Sequence, residues 1–444
     1  MTPIGDRLRT IGLSATEAER KEALFARATN ALAELQPGDP TVRLWVPGRI
    51  EFLGKHTDYA GGRSLLCAVE RGFCVVAMPR ADHHVLVRDA LSGETVDGSL
   101  DSRTEGIAGH WGNYPLTVAR RIGANFAPPL VGANVVFASD LPVAAGISSS
   151  SALVVASFLA FSEINRLAER PEYRQSIHDA GDLAEYLGAV ENGLDFRMLR
   201  GERGVGTFGG SEDHTAILCA RSNGLARYSF CPVRRERIVD LPVGHVFVVA
   251  TSGVVAEKTG TALASYNRLA VLAREAAARW REKSGRDDAT LGDALRATNG
   301  DVAPIVAALG RAGRDGSETA ALEERVRQFA TESEEIIPAA TDALVSGKLS
   351  ELGVLADRSM QNAVTMLHNQ IPETIFLART AREMGAIAAS AFGAGFGGSV
   401  WALVRRAAAS DFAARLSAEY RSAFPDRIAA EVFVTRAGPP ARTL

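Results

Sequence analysis

Short apolar runs rich in β-branched residues alternate along the chain with longer stretches whose apolar residues recur at helical spacing. The short runs predict strands, and they begin at Arg43, Cys74, His84, Gly132 and His245. The longer stretches predict helices, and they cover 17–35, 149–167 and a segment that ends near Glu191. Strands and helices are therefore mixed from the start of the chain.

The second half of the chain is richer in helix. Long helical patterns occupy 261–283 and 318–346, and two late strand-like runs, SVWALV and EVFVT, follow them. At 444 residues the chain is too long for one simple core, so two domains that share a cleft are expected. We place the boundary near residue 240, which gives an N-terminal domain of 1–240 and a C-terminal domain of 241–444. The predicted fold class is α+β.

Composition narrows the class of protein. The chain is 46% hydrophobic and 23% charged with a formal net charge of −3, as expected of an ordinary globular protein. No basic block appears, so binding to nucleic acid is not expected. Charges interrupt the N-terminal segment before any apolar run long enough for a signal peptide or a membrane span. The four cysteines lack the spacing of a zinc site, and a cytoplasmic protein without a membrane partner is expected.

A loop of small residues precedes the helix predicted from Ser149. Small side chains let backbone N–H groups approach an anion closely, and the following helix directs its positive end to the same place. Such a loop can hold phosphates, and one of its hydroxyls can bind Mg²⁺. The competing interpretation is a serine-capped buried helix, although capping needs one serine and four are present. The residues are Pro142, Ala144, Ala145, Gly146, Ser148, Ser149, Ser150 and Ser151.

A second glycine-rich segment, SAFGAGFGGSVWALV, covers 390–404. Gly393, Gly395 and Gly398 satisfy the GxGxxG pattern of dinucleotide-binding folds. That pattern needs a helix after it and an acidic residue roughly 20 residues further on, whereas these glycines run into a predicted strand. We therefore reject a dinucleotide site and predict a tight turn, which could still pack against a bound nucleotide or another loop.

A third segment, VPGRIEFLGKHTDYAGGRSL at 46–65, is unusually polar. Lys55, His56 and Asp58 lie between glycines, and in a strand Arg49 would share a face with Glu51. A polar loop tip is the competing interpretation. Neither this segment nor SGKL at 346–349 completes the GxxxxGKS or GxxxxGKT pattern, so a P-loop is not supported.

The three segments, in this order, resemble the three motifs of the GHMP kinases, and most closely those of the galactokinases. The first, GRIEFLGKHTDYAGG, is similar to GRxNxxGEHTDYNGG, and the third, AFGAGFGG, is similar to MTGxGFGG. The second is similar to PxGGGLSSSA with Ala144 and Ala145 in place of two glycines. Trp111 and Tyr114 match a W-x-x-Y segment near the nucleotide site. The resemblance spans roughly residues 40–404, and three ordered motifs coincide by chance far less readily than one.

This resemblance implies a two-domain GHMP kinase fold with the active site in the cleft between the domains. It also implies transfer of a phosphoryl group from ATP to a sugar hydroxyl. GGSEDHT takes the place of the family's CGIMDQF, so Asp213 would act as general base or orient the hydroxyl. Arg49 would hold Asp213 ionised and stabilise charge near the phosphoryl group. The implied sugar-binding residues are Arg49, Lys55, His56, Asp58, Gly210, Asp213 and Tyr266.

ATP and Mg²⁺ are the implied cofactors. The implied nucleotide-binding residues are Trp111, Pro142, Ala144, Ala145, Gly146, Ser148, Ser149, Ser150 and Ser151. Ser150 and Glu191 are the implied metal ligands. A plain structural acid remains the alternative for Glu191, because the segment that joins it to Asp213 is longer than the family usually has.

Three functions remain open, because a fold likeness does not settle function. The first is a kinase that phosphorylates the anomeric C1 hydroxyl of a galactose-like sugar. The others are a GHMP kinase for a non-sugar alcohol and a non-catalytic sensor of sugar and ATP. The sugar-type first motif argues against the non-sugar alcohol, and retention of both Arg49 and Asp213 argues against the sensor.

Lys55 is the clearest departure from the family, which has a glutamate that meets the sugar's far hydroxyl. A lysine only donates hydrogen bonds, so the change reverses both charge and hydrogen-bond polarity. A hexuronic acid is therefore a second candidate substrate. The alternative is that Lys55 pairs with Glu51 or Asp58 and leaves the pocket. The sequence does not predict the oligomeric state.

Overall fold

The computed structural model describes residues 3–100, 106, 109–142, 145–254, 263–310 and 317–444. Within these ranges no helix is long and apolar enough to cross a membrane. The helices are α1 (Ile4–Ile11), α2 (Ala15–Leu35), α3 (Asn113–Asn125), α4 (Ser149–Asn165), α5 (Pro171–Ser176), α6 (Ala180–Asn192), α7 (Glu212–Cys219), α8 (Leu263–Ser284), α9 (Leu291–Ala297), α10 (Ala303–Ala308), α11 (Ser317–Ala330), α12 (Ile337–Val345), α13 (Leu349–Asn362), α14 (Pro372–Glu383) and α15 (Ala409–Ala423).

The strands form two sheets. They are β1 (Val42–Leu53), β2 (Arg63–Pro79), β3 (His84–Asp89), β4 (Thr95–Ser99), β5 (Ala133–Ser139), β6 (Gly224–Ser229), β7 (Arg234–Asp240), β8 (His245–Thr251), β9 (Ala388–Phe392), β10 (Ser399–Arg405), β11 (Val432–Thr435), β12 (Ala437–Gly438) and β13 (Arg442–Thr443). The first sheet has the order β13-β1-β2-β5-β3-β4, with β12 and β6 also paired to β2 and β7 paired to β6. The second, antiparallel sheet has the order β11-β8-β10-β9. The α+β class is confirmed.

Strand β1 is buried along almost its whole length because helices cover both faces of the first sheet. Leu44 and Val46 belong to the large core that includes α4. Trp45 points the opposite way and packs with Phe25 of α2, as the alternation of side chains along a strand requires. The charged residues that follow on the same strand are therefore carried into the interior of the protein.

The change of sheet falls between β7 and β8, close to residue 240. The chain nevertheless returns, because β12 and β13 near its end pair with β2 and β1 of the first sheet. The division at residue 240 stays a prediction, and these two strands of the 241–444 range lie in the sheet formed by the 1–240 range.

The helix predicted over 318–346 is interrupted by a π-helical turn at Thr331–Ile336, between α11 and α12. Pro338 is the second residue of α12 and has no N–H to donate to the preceding turn, which accounts for the break in the α-helical ladder. The wider turn places the Glu332 carboxylate 3.1 Å from the backbone N of Gly54. It thereby connects the C-terminal helices to the polar segment that follows β1.

Candidate active site

An open cavity lies where the segment that follows β1, the start of α4, the loop before α7 and the turn between β9 and β10 meet. The structure brings together six of the seven sequence-predicted sugar-binding residues in its wall. These are Arg49, His56, Asp58, Gly210, Asp213 and Tyr266. Segments far apart in the sequence therefore contribute to one site.

Arg49 and Asp213 form an ion pair in this wall. The Arg49 Nε donates to Asp213 Oδ1 at 2.7 Å, and its Nη1 donates to the carbonyl oxygen of Gly146 at 2.5 Å. Asp213 lies in the first turn of α7, where the helix dipole stabilises a negative charge. Arg49 is 2% exposed and Asp213 is 14% exposed, so the carboxylate is the member of the pair that a substrate can reach.

The Arg49 guanidinium is a permanent cation. Burial by itself would lower the pKa of Arg49, but the charges of Asp213, Glu51 and Glu212 outweigh it and raise the pKa above its ordinary value. A planar guanidinium with several donors can hold a carboxylate and a backbone carbonyl at fixed angles. Arg49 therefore fixes Asp213 relative to the loop that contains Gly146.

Ser151 lies between the two acids of the site. Its Oγ is 2.9 Å from Glu191 Oε2 and 3.3 Å from Asp213 Oδ2. The His214 Nε2 is 3.1 Å from the same Glu191 oxygen. Ser150, the serine named as a metal ligand from the sequence, is half-buried in the first turn of α4. The contact to Glu191 thus comes from the next serine along the helix.

A carboxylate next to a hydroxyl fits Mg²⁺, which prefers oxygen ligands and keeps several waters or phosphate oxygens. In the described part of the chain no three His, Cys, Asp or Glu side chains are grouped closely enough to hold a metal ion. A Mg²⁺ ion at Glu191 would therefore take its remaining ligands from the nucleotide and from water.

The start of α4 lacks a side-chain cap. Ser148 precedes the helix with a φ of 58°, makes no side-chain cap hydrogen bond, and has a buried Oγ without a partner among the described residues. Ser148 therefore does not act as the side-chain cap of the competing interpretation. Within the described residues Ser148 leaves the first N–H groups of α4 without a side-chain cap, as in helices that bind phosphate. Ala144 lies outside the described residues, and Pro142 and Ala145 flank that gap.

The glycine-rich turn joins β9 to β10 as a hairpin, so a strand follows it as predicted, and the helix that a dinucleotide-binding pattern requires does not. The turn packs on the small-residue loop. A Cβ on Gly393 would stand 2.9 Å from the carbonyl oxygen of Gly146, and a Cβ on Gly146 would stand 3.3 Å from Gly398 Cα. Ser399 also donates its hydroxyl to the carbonyl of Ala145. Glycine is needed on both sides of this contact.

Trp111 lies just before α3 and outside the cavity wall. Its indole N–H donates to Glu94 at 2.7 Å, and its ring stacks on His110 and meets Phe137 edge to face. Its contact with a nucleotide stays a prediction.

His56 and Asp58 are held in place by defined partners. The His56 Nε2 lies 3.0 Å from the carbonyl oxygen of Ala394, which can only accept, so Nε2 carries hydrogen. Its Nδ1 lies 2.8 Å from the Tyr59 hydroxyl. Asp58 accepts the backbone N–H of Glu212 at 3.1 Å. A Cβ on Gly210 would come within 2.3 Å of the Asp58 carboxylate, so the close approach of these segments requires glycine.

Lys55 lies behind the cavity and is absent from its wall. The side chain is buried, and its ammonium donates to Ser390 Oγ at 2.9 Å and to Ser359 Oγ at 3.0 Å. Ser359 in turn donates to Glu332. The ammonium also attracts the Glu51 carboxylate. Lys55 therefore joins the segment after β1 to the C-terminal helices.

We expect Lys55→Met to destabilise the fold, because Ser359 and Ser390 lose a buried hydrogen-bond donor and Glu51 loses one of the two cations that face it. Loss of the partner of a buried polar group costs about 1–3 kcal/mol, which urea unfolding measures. The exposed Lys348→Met is the control and should change stability little. Unchanged stability, together with a changed preference between galactose and galacturonate, would contradict this placement of Lys55.

The cavity contains two buried acids that sequence reasoning did not assign to the site. Burial raises the pKa of Glu51 to about 7. The positive charges of Lys55 and Arg49 lower this pKa, but their effect is smaller than that of burial. Burial and the charges of Glu51 and Asp58 raise the pKa of Glu212 well above its ordinary value. Both acids had a sequence signal, because Glu51 shares a strand face with Arg49 and Glu212 adjoins Asp213.

The raised pKa of Glu51 predicts a pH-dependent stability. The folded protein holds this proton up to about pH 7, whereas an unfolded glutamate releases it near pH 4.5. Stability from this group is therefore present below pH 4.5 and lost as the pH rises toward 7, by up to about 3 kcal/mol. The charged groups that face Glu51 are Lys55, Arg49, Glu332 and Glu212.

Urea unfolding of the wild type and Glu51→Gln at pH 5 and pH 8 measures this contribution, because taking the difference removes the other titrating groups. The wild type should lose stability relative to the variant between these pH values. An equal difference at both pH values, or a relative gain by the wild type at pH 8, would show that Glu51 does not titrate in this range.

Three family models match the chain in the order of its sequence motifs. The galactokinase galactose-binding signature matches residues 38–79. The N-terminal domain of the GHMP kinases matches residues 113–195, and their C-terminal domain matches residues 340–422. The matched ranges include β1 with Arg49, the start of α4, and the glycine turn after β9.

Two relatives align over most of the chain. The galactokinase of Roseiflexus sp. (strain RS-1) is 28% identical over 389 residues, covering 86% of this chain and 88% of the relative. The galactokinase of Chloroflexus aggregans is 29% identical over 387 residues, covering 86% and 89%. The crystal structure of Lactococcus lactis galactokinase complexed with galactose superimposes with a TM-score of 0.76 at 22% identity, over 94% of this chain and 99% of that chain.

The two-sheet fold and the matched GHMP kinase domains identify the class of this chain as that of the GHMP kinases. Within that class it is a galactokinase-like member, an ATP-dependent sugar kinase.

Proposed function

We propose that this kinase transfers the γ-phosphoryl group of ATP to the anomeric C1 hydroxyl of a galactose-like sugar, giving a sugar 1-phosphate and ADP. The observation that carries the proposal is the Arg49–Asp213 ion pair in the cavity wall, 2.7 Å between its polar atoms. Arg49 also binds the carbonyl of Gly146, so the pair stands between the sugar signature and the loop before α4.

Asp213 would bind the reacting hydroxyl of the sugar. As the hydroxyl oxygen bonds to the γ-phosphorus, its proton passes to the Asp213 carboxylate, and the bond to the ADP oxygen breaks with its electron pair leaving on ADP. Arg49 keeps Asp213 in position and places a permanent positive charge near the transferring group. Phosphoryl transfer depends mainly on such positioning and charge neutralisation.

The start of α4 supports nucleotide binding by this chain. The small-residue loop and the unpartnered Ser148 Oγ suit phosphate oxygens. Glu191 would hold Mg²⁺ together with a serine of α4, Ser150 by its place in the motif or Ser151 by its contact. The metal ion would neutralise the charge of the phosphate oxygens.

The contacts of the site favour catalysis on a sugar over the alternatives. A non-catalytic sensor has no need of the Arg49–Asp213 pair, and the match to a galactose-binding signature favours a sugar over another alcohol. The hexuronic acid rested on Lys55, whose ammonium is engaged by Ser359 and Ser390 behind the cavity. A neutral galactose-like sugar is therefore the substrate that the site supports best.

An assay of ADP release with MgATP tests the proposal across neutral hexoses, deoxysugars, hexuronic acids and simple alcohols. Sugar-dependent ADP release, highest with a galactose-like neutral sugar, is the expected result. ATP binding without turnover of any sugar would favour the sensor. Turnover of a simple alcohol in preference to every sugar would favour the other class of GHMP kinase.

A further inference from the structure

Glu51 has one carboxylate oxygen held by the protein and one that is not. Its Oε2 accepts the backbone N–H of Gly393 at 3.1 Å. Its Oε1 is buried and has no hydrogen-bond partner among the described residues, and Glu51 contributes to the cavity wall. A buried charged acceptor without a donor is costly, and a ligand hydroxyl that supplies the donor removes that cost.

The two cations near Glu51 attract its carboxylate but donate no hydrogen bond to Oε1. The Lys55 ammonium lies close enough to attract Glu51 but donates hydrogen bonds to Ser359 and Ser390. The Arg49 guanidinium donates to Asp213 and Gly146. Both nearby cations thus favour the ionised acid while their donors are directed elsewhere. Burial raises the pKa of Glu51 to about 7, so at pH 8 the group is mainly a carboxylate.

We propose that Glu51 is a specificity-determining residue whose Oε1 accepts a hydrogen bond from a sugar hydroxyl other than the one that is phosphorylated. The proposal rests on the sugar kinase function above and extends it to the choice of sugar. Glu51 selects a neutral sugar that presents a hydroxyl at this point and disfavours a uronic acid that presents a carboxylate.

The negative charge of the cavity also favours a neutral sugar over a uronic acid. Among the described residues that line it, five are acids and one is an arginine. The acids are Glu51, Asp58, Glu191, Glu212 and Asp213. A sugar carboxylate would bring a further negative charge into this group, and like charges at short range in a poorly solvated site repel strongly. A hydroxyl carries no such penalty and donates to the carboxylate.

The test compares steady-state kinetics at pH 8 for the wild type and Glu51→Gln. The substrates are the best neutral hexose, its 2-, 3-, 4- and 6-deoxy analogues, and the matching uronic acid. Glutamine keeps the shape and the acceptor for Gly393 but loses the charge. The variant should raise the KM for the parent hexose about tenfold or more, as expected for a hydrogen bond to a charged group, with kcat little changed.

The deoxysugars identify the contact. One analogue should lose about tenfold in kcat/KM with the wild type, and that loss should shrink to about twofold in Glu51→Gln because the partner is already altered. Glu51→Asn, the residue of the related signature, shortens the side chain and should behave in the same way. Glu70→Gln is the matched control, because Glu70 is a buried acid of the same sheet that binds Arg436 outside the cavity.

The inference is wrong if folded Glu51 variants keep the wild-type KM within twofold, or if every deoxysugar suffers the same loss in wild type and variants. It is also wrong if the wild type prefers the uronic acid, a result that needs no variant. The proposed function fails separately, by absence of sugar-dependent ADP release from the wild type, and the inference then falls with it.

Discussion

Asp213→Asn is expected to lower kcat by about 10²-fold or more, as for the loss of a positioned acid–base group. The amide oxygen of asparagine can still accept the hydrogen bond from Arg49, so the side chain keeps its place and volume. It loses the negative charge that receives the hydroxyl proton. Stopped-time ADP release with saturating sugar and MgATP measures the change, and calorimetry should find ATP affinity close to that of the wild type.

Asp182→Asn is the matched control for this substitution. Asp182 also lies in the first turn of a helix, α6, and also pairs with an arginine, Arg197. It lies outside the cavity wall. The control should lose some stability and keep its turnover. Near-wild-type kcat in Asp213→Asn with an unchanged melting temperature would remove Asp213 from the mechanism.

Gly146→Val is expected to weaken ATP binding by about tenfold or more while sugar binding stays measurable. Gly146 has a φ of 74°, where a β-branched residue is strained. A Cβ there would also press on Gly398 at 3.3 Å, so the loop before α4 must shift away from the position in which it can hold phosphates. Calorimetric titration with MgATP and with sugar measures the two affinities separately.

Gly347→Val is the control that separates the effect of backbone strain from the effect of crowding against a neighbouring loop. Gly347 has a similar φ of 68° in the turn before α13, and a Cβ there would meet nothing within 4 Å. The control should lose stability through backbone strain and keep its ATP affinity. If folded Gly146→Val bound ATP as tightly as the wild type, the nucleotide would have to bind elsewhere.

The strands and helices with strong apolar patterns were predictable from the sequence. The runs that begin at Arg43, His84, Gly132 and His245 correspond to β1, β3, β5 and β8, and the first helical pattern corresponds to α2. These elements are buried on at least one face, so packing and local propensity agree. Strand β7, with the sequence RRERIVD, was missed because most of it is charged and exposed and its pairing with β6 is long-range information.

The position of the candidate active site could be predicted from the sequence more readily than the directions of its side chains. The resemblance implied that Arg49 and Asp213 share one site, and both side chains lie in the wall of the same cavity. Side-chain direction depends on partners far along the chain, however. Lys55 turns toward Ser359 and Ser390, more than 300 residues away, and no local pattern carries that contact.

Burial is the other property that local patterns do not reveal. Glu51 could be placed on the face of Arg49 by strand alternation, but its raised pKa arises from enclosure by β2, the π-helical turn and the turn after β9. From the sequence alone, the four consecutive serines offer four hydroxyls that cannot be told apart. The geometry of α4 distinguishes Ser151, which contacts Glu191, from Ser150.

The central claim is that the enzyme phosphorylates the anomeric hydroxyl of a neutral sugar, and the structure of the product tests it most directly. NMR of the mixture formed from MgATP and the best sugar should show an anomeric proton split by coupling to phosphorus, loss of the reducing end, and one ADP per sugar phosphate. A product that keeps a free reducing end and carries phosphate on another hydroxyl, or ADP formed without any sugar phosphate, would contradict the account.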